Sequence, residues 1–392
     1  MAREMTPIVR AIDSKNLPWN PRLAHIRCIA ALLVFVFHVF HIFFGHWQPQ
    51  QRFSGIGFIV EGYTGVSLFF VLSGYLFMSI ALRARGRINY VDFIRNRFLR
   101  VFPLFLFVFF VSISISRDKF QPQDILYLFF SNIGAPPTSN HFITGAAWTI
   151  SVEFTFYLIF PFIARFTLEQ GARYLLKFLL LLLIFRTGAY FAAERSTHMI
   201  YSTLIGRTDQ FLIGMMAAYI VQHSKIGEYL NRRGVGLVPL LTAGALLWAA
   251  IEGMSLTASY FSPHPKHPAW IVWPIVEAML WACILVAWVF NRYSLPKIVN
   301  RFLEKGGEIS YSIYLLHGVI IFLTSQVFPP PLQWTGNWRL DAIIVTVGLL
   351  IITWSVSLVS YTTIEAPFLR LRKAYIAQEE KQDSIQKRVS KM

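Results

Sequence analysis

Arg27 and His38 stand eleven residues apart in "RCIAALLVFVFH", with no charge between them. On a helix that spacing is close to three turns, so both side chains lie on nearly one face. The rise of about 16 Å puts the imidazole near the middle of a bilayer when the arginine sits at its edge. Ionisable groups at such depth are costly and usually face a bundle interior or a water-filled cavity. His41 follows one turn later and shares that face in the sequence. Glu153, in "WTISVEFTFYLIFP", lies about eight residues into another apolar run and so also near mid-depth. A carboxylate that orients an imidazole and stabilises its cation makes a general base. The alternative for Glu153 is a clamp between helices.

A second set of residues is cationic. In "RARGRINYVDFIRNRFLRVFP", Arg97 and Arg100 are three apart and share a helix face just ahead of Pro103. The arginines of this stretch exceed what membrane orientation requires. Guanidinium forks at a membrane surface suit phosphate groups, on either a phosphorylated cofactor or lipid headgroups. Weaker candidates for lining a site are Tyr157, His317 with Tyr311 and Tyr314 near it, and Asp209 in "GRTDQFLIG". His317 reads equally as core packing, and Asp209 as a structural partner of Arg207 or Arg186. Glu277 lacks an obvious local partner, and Glu365 is expected to pair with an inner-loop arginine. Ser73 has no adjacent base to activate it. His264 and His267 lack further ligands nearby, so no metal site is expected.

These residues need a scaffold, and composition supplies its class. Of 392 residues, 55% are hydrophobic and only 14% charged, against about 25% charged in soluble domains. The fold class is all-α, a polytopic transmembrane helix bundle. Apolar runs predict ten spans, at 24–45, 58–82, 101–116, 145–165, 174–191, 208–223, 236–252, 269–290, 309–327 and 341–365. Twenty-eight of the 36 Lys and Arg residues then fall on the amino-terminal side, which predicts that both termini are cytoplasmic. The net charge of +16 is thereby explained by topology, and nucleic-acid binding is not expected. Cys28 and Cys283 sit in apolar runs and read as packing residues. The domain reading is a tail over 1–22, a transmembrane domain over 23–370 and a basic tail over 371–392.

Seven segments, in order, resemble the acyltransferase-3 family of integral membrane acyltransferases. They are "RCIAALLVFVFH", "GVSLFFVLSGYLF", "FIRNRFLRVFP", "AWTISVEFTFYLIFP", "GRTDQFLIGMMAAY", "ISYSIYLLHGVII" and "YTTIEAPFLRLRK", covering about residues 22 to 373. The resemblance implies acyl transfer, most often of acetyl from cytoplasmic acetyl-CoA, onto a carbohydrate hydroxyl. Acceptors in the family include lipopolysaccharide, exopolysaccharide, Nod factors and some antibiotics. The family's first-helix pair corresponds to Arg27 and His38, its Arg-x-x-Arg to Arg97 and Arg100, and its fourth-span carboxylate to Glu153. Many relatives carry an acid where this chain has Ser67. The expectation is therefore a bacterial inner-membrane O-acyltransferase with acyl-CoA, membrane lipids and a carbohydrate or glycolipid acceptor as partners, and other polysaccharide-assembly proteins as candidates. His38 would be the general base, positioned by Glu153, or would carry the acyl group covalently. Arg27, Arg97 and Arg100 would bind the donor. The rival reading is a glycolipid transporter or flippase with His and Glu as a proton relay.

Overall fold

The computed structural model describes residues 15–45, 55–115, 148–194, 196–232, 234–261 and 266–376. His264 and most of both expected tails lie outside them. Ten long helices carry the architecture: α1 (Pro21–Phe40), α2 (Thr64–Arg83), α3 (Tyr90–Ile115), α4 (Trp148–Gln170), α5 (Ala172–Ala192), α6 (Leu204–His223), α7 (Leu237–Thr257), α8 (Ala269–Phe290), α9 (Ser310–Val327) and α10 (Trp338–Ser360). In hydrocarbon a lone backbone polar group has no water to bond, and a helix satisfies its own. Among the described residues, nine helices are long and apolar enough to cross a membrane. The tenth, α6, matches the expected sixth span but is more polar. It packs against α2, α5 and α8, and Arg207, Thr208, Asp209 and Gln210 along it are all buried.

Local chemistry sets the helix ends. Asn20 caps α1 by accepting from the Arg22 backbone N–H at 2.9 Å, and Pro21 occupies the first turn, where no N–H is needed. Thr203 and Asn337 cap α6 and α10 in the same way. Two expected spans have different limits. The second is broken: a short helix at Gly57–Val60 ends in a turn carrying Glu61, and α2 begins only at Thr64. The third begins eleven residues early, at Tyr90, so Arg97 and Arg100 share a helix as expected and Arg95 lies on it too.

α1 lies centrally, against α2, α9 and the amphipathic helix Lys297–Glu308. α2 and α6 approach most closely where Gly74 faces the Phe211 carbonyl and Gly214 faces the Val71 carbonyl. A methyl group at either glycine would collide with backbone, which is the small-residue mode of close helix approach in membranes. α5, α7 and α10 are peripheral and present Leu180, Ile184, Leu241, Ile343 and Ile351 outward, as lipid contact requires. At the end where α1 starts, the segment after α10 folds back onto the bundle. Lys373 exchanges two backbone hydrogen bonds with the Asn96 side chain, at 2.6 and 3.0 Å. The Tyr375 N–H donates to Asn16 Oδ1 at 3.0 Å, and the Asn89 N–H donates to the Tyr375 carbonyl at 2.9 Å.

Candidate active site

A cavity of about 90 Å³ lies between α1, α2, α3, α4 and α9. Arg27, Arg97, Arg100, Glu153 and Tyr157 all line it, so the structure brings five of the sequence-selected residues together. Arg97 and Arg100 are presented by the first turns of α3. The Arg97 guanidinium lies over the rings of Phe77, Phe93 and Tyr157 at 5.0, 5.7 and 5.9 Å. This stacking fixes a plane that a flexible ammonium would not hold. Its Nε is buried and takes no hydrogen bond among the described residues.

A second chamber, of about 90 Å³, shares Arg27, Leu76, Phe77, Arg97 and Arg100 with the first and adds Arg372. Four guanidinium groups therefore line two chambers that share walls, and among the described residues Glu153 is the one carboxylate lining them. Burial, reinforced by Arg100 and Arg97 beside it, lowers the Arg372 pKa to about 10. So concentrated a positive charge favours an anionic ligand. Arg372 was missed in the sequence because positive-inside topology already accounted for the cations of "FLRLRK".

At its deep end the cavity reaches Tyr314, whose hydroxyl shares a 2.8 Å hydrogen bond with Thr149. His317 follows Tyr314 along α9, the two rings 5.8 Å apart. The Nε2 of His317 lies 3.1 Å from Nδ1 of His38. His317 is fully buried, whereas His38 is half-buried. The carbonyl oxygens nearby determine the protonation of both neutral rings. Nδ1 of His38 is 2.8 Å from the Val34 carbonyl, and Nδ1 of His317 is 3.0 Å from that of Ile313. A carbonyl only accepts, so each Nδ1 carries the proton. His317 Nε2 is then an acceptor facing His38 Nδ1. His317 is thereby resolved from an ambiguous span residue into the neighbour of the proposed base.

The expected pairing of Glu153 with His38 gives way to a different neighbour for each. Glu153 accepts from the Ser73 hydroxyl at 3.0 Å and from Tyr157, with Arg27 close enough to attract it. Depth alone placed it level with His38, and the helix arrangement turns it toward the arginines. His41 also departs from the face of His38. The helix widens into a π turn over His41–Gly45, and His41 bonds the Val60 carbonyl at 2.8 Å and packs on Phe261. Asp209 lines neither chamber, because it forms a buried ion pair with Arg186 at 2.6 Å. Glu365 accepts from Ser312, where a salt bridge to an inner arginine was expected. Glu277 gains a partner in Ser67, which donates to it at 2.7 Å and accepts from Arg207 and Gln210, each at 3.0 Å. An acid thus does stand beside Ser67, supplied by α8.

A cationic cavity inside a membrane bundle ends at Tyr314, one turn of α9 from a histidine pair that does not itself line it, an arrangement suited to a membrane-embedded group-transfer enzyme. The chain belongs to the acyltransferase-3 family, whose acyltransferase domain matches residues 20–359, and is a multi-pass membrane acyltransferase. It is similar to acyltransferase MdmB of Streptomyces mycarofaciens, at 26% identity over 90% of this chain and 92% of that one. It is similar to nodulation protein 10 of Rhizobium leguminosarum bv. viciae, at 26% identity over 80% of this chain and 84% of the relative. O-acetyltransferase OatA of Staphylococcus aureus is 21% identical over 78% of this chain, which corresponds to 51% of OatA. No solved structure matches.

Proposed function

We propose that the enzyme moves an acetyl group from cytoplasmic acetyl-CoA to a hydroxyl of a cell-surface or secreted carbohydrate, with His38 as general base. It would reside in the bacterial inner membrane with the arginine-rich end inward. The observation that carries this reading is the arginine-lined cavity that ends at Tyr314, one turn of α9 from the contact between His317 and His38. The O-acetyltransferase among the relatives supports a hydroxyl acceptor. Family membership favours transfer over the transporter reading.

When bound, acyl-CoA supplies a thioester carbon open to attack. Arg97 and Arg100 offer forked donors to phosphate oxygens, and Arg27 adds a third from α1. Glu153 tempers this charge and, with Ser73 and Tyr157, keeps the wall of the cavity polar. His38 Nε2 takes the proton of the acceptor hydroxyl, and the freed oxygen lone pair forms the new bond to the acyl carbon as the carbon–sulfur bond breaks. The imidazolium returns its proton to the departing sulfur. His317 Nε2, which shares the His38 Nδ1–H with the Val34 carbonyl, steadies the cation meanwhile, the role first expected of Glu153. Burial of the base is explained by geometry: mid-membrane is where a donor from one face and an acceptor from the other can meet. Purified protein incubated with acetyl-labelled CoA and a polysaccharide acceptor tests this. Label is expected on the glycan, and its absence across hydroxyl acceptors would refute the reading.

A further inference from the structure

We infer that the chamber at the arginine-rich end is the nucleotide subsite of the acyl-CoA donor, and that Trp19 and Arg372 determine its specificity. This assignment rests on the proposed function. CoA divides chemically into an adenosine part crowded with phosphates and a long uncharged arm bearing amides. The two chambers divide in the same way. The deep one offers aromatic and aliphatic walls with the hydroxyls of Ser73, Thr149, Tyr311 and Tyr314, and it ends one turn of α9 from His317. The other is walled by Leu17, Pro18 and Trp19 from the segment ahead of α1, and by Leu23 and Ile80. A flat, half-buried indole beside guanidinium groups suits a nucleobase with phosphates attached. Arg27, Arg97 and Arg100 stand in the shared neck, where the diphosphate would pass.

Arg372 lines only the outer chamber and is 8% exposed. Its Nε donates to the Leu369 carbonyl at 2.9 Å, which sets the direction of the fork. The next residue is pinned by Asn96, and Tyr375 is tied to Asn16, so this wall is built from both ends of the described chain. Burying a fourth arginine among three others is costly, and an anion with several phosphates would offset that cost. Bulk lipid headgroups would need only one or two cations and no aromatic wall.

Calorimetry on the full chain in neutral-lipid nanodiscs tests the assignment, with CoA and adenosine 3′,5′-bisphosphate as probes. Arg372→Gln is expected to weaken both by about 10–100-fold, the loss of a charge-assisted hydrogen bond. Trp19→Ala is expected to weaken both, and Trp19→Phe to restore them. Transfer from S-acetyl-pantetheine, which lacks the nucleotide, is expected to keep its KM in every variant. Wild-type affinity for both probes in Arg372→Gln and Trp19→Ala would overturn the assignment while leaving acetyl-CoA as donor. Equal losses with acetyl-CoA and S-acetyl-pantetheine would also overturn it. If the wild-type protein neither binds CoA nor transfers acetyl, the function reading fails first and the subsite with it.

Discussion

His317 Nε2 faces Nδ1 of His38 at 3.1 Å across the contact between α1 and α9, with the two rings 4.8 Å apart and inclined at 60°. Their Nδ1 atoms lie against the Val34 and Ile313 carbonyls, so each Nδ1 carries a proton and His317 Nε2 is the acceptor that faces His38. Replacing His38 by Ala is expected to lower kcat by about 10²–10⁴-fold while the protein still inserts and melts normally. His317→Ala removes a hydrogen bond from the base rather than the base itself, so about a tenfold loss is expected. The pH–rate profile should move in His317→Ala, and an unmoved profile would assign that histidine to packing.

Glu153 gives a sharp contrast. Were it the partner of His38, Glu153→Gln would shift the pH dependence of kcat as His317→Ala does. Its place beside Ser73 and Arg27 predicts a changed KM for acetyl-CoA and an unchanged pH profile. Arg97→Ala is expected to raise the same KM by about 10–100-fold, since a charge-assisted contact is lost. Steady-state kinetics over a range of donor concentrations decides both.

The Asp209–Arg186 pair is buried on both sides, at 0% and 2% exposure. Asp209→Ala strands a guanidinium and is expected to cost about 3–5 kcal/mol of stability. Exchanging both residues for apolar ones should recover most of it. A thermal melt in detergent measures the loss, and activity per folded molecule should not change.

Glu61, in the turn ahead of α2, accepts from the Ser259 hydroxyl at 2.5 Å and is 2% exposed. Burial raises its pKa from the ordinary 4.5 to about 7. Between those values the folded protein keeps a proton that the unfolded chain has released, so stability falls as pH rises through the window and levels off above it. The shift corresponds to about 3 kcal/mol. Melting temperatures from pH 4.5 to 7 should show this decline in the wild type and a flatter curve in Glu61→Gln.

The sequence made the bundle and half of the site legible, for one reason. Arg27, His38 and Glu153 are conspicuous because ionisable groups are rare in apolar runs, and rarity is readable without coordinates. Adjacency between helices is another matter. Depth placed Glu153 level with His38, yet only packing shows that α9 supplies the neighbour of that ring. His41 illustrates how a local departure defeats periodicity, since the π turn reorients it toward Val60. Arg372 stayed hidden by the opposite effect: at the basic end, one more arginine carries no information until its burial is known.

The hydrogen bond between Tyr375 and Asn16 also bears on biogenesis. Asn16 leaves the ribosome before any span has been made, whereas Tyr375 emerges only after α10. The floor over the arginines thus closes late, once the whole bundle has been threaded into the bilayer. A nascent chain halted before that point would lack one wall of the arginine-lined chamber, so the proposed donor site is finished only when the bundle is.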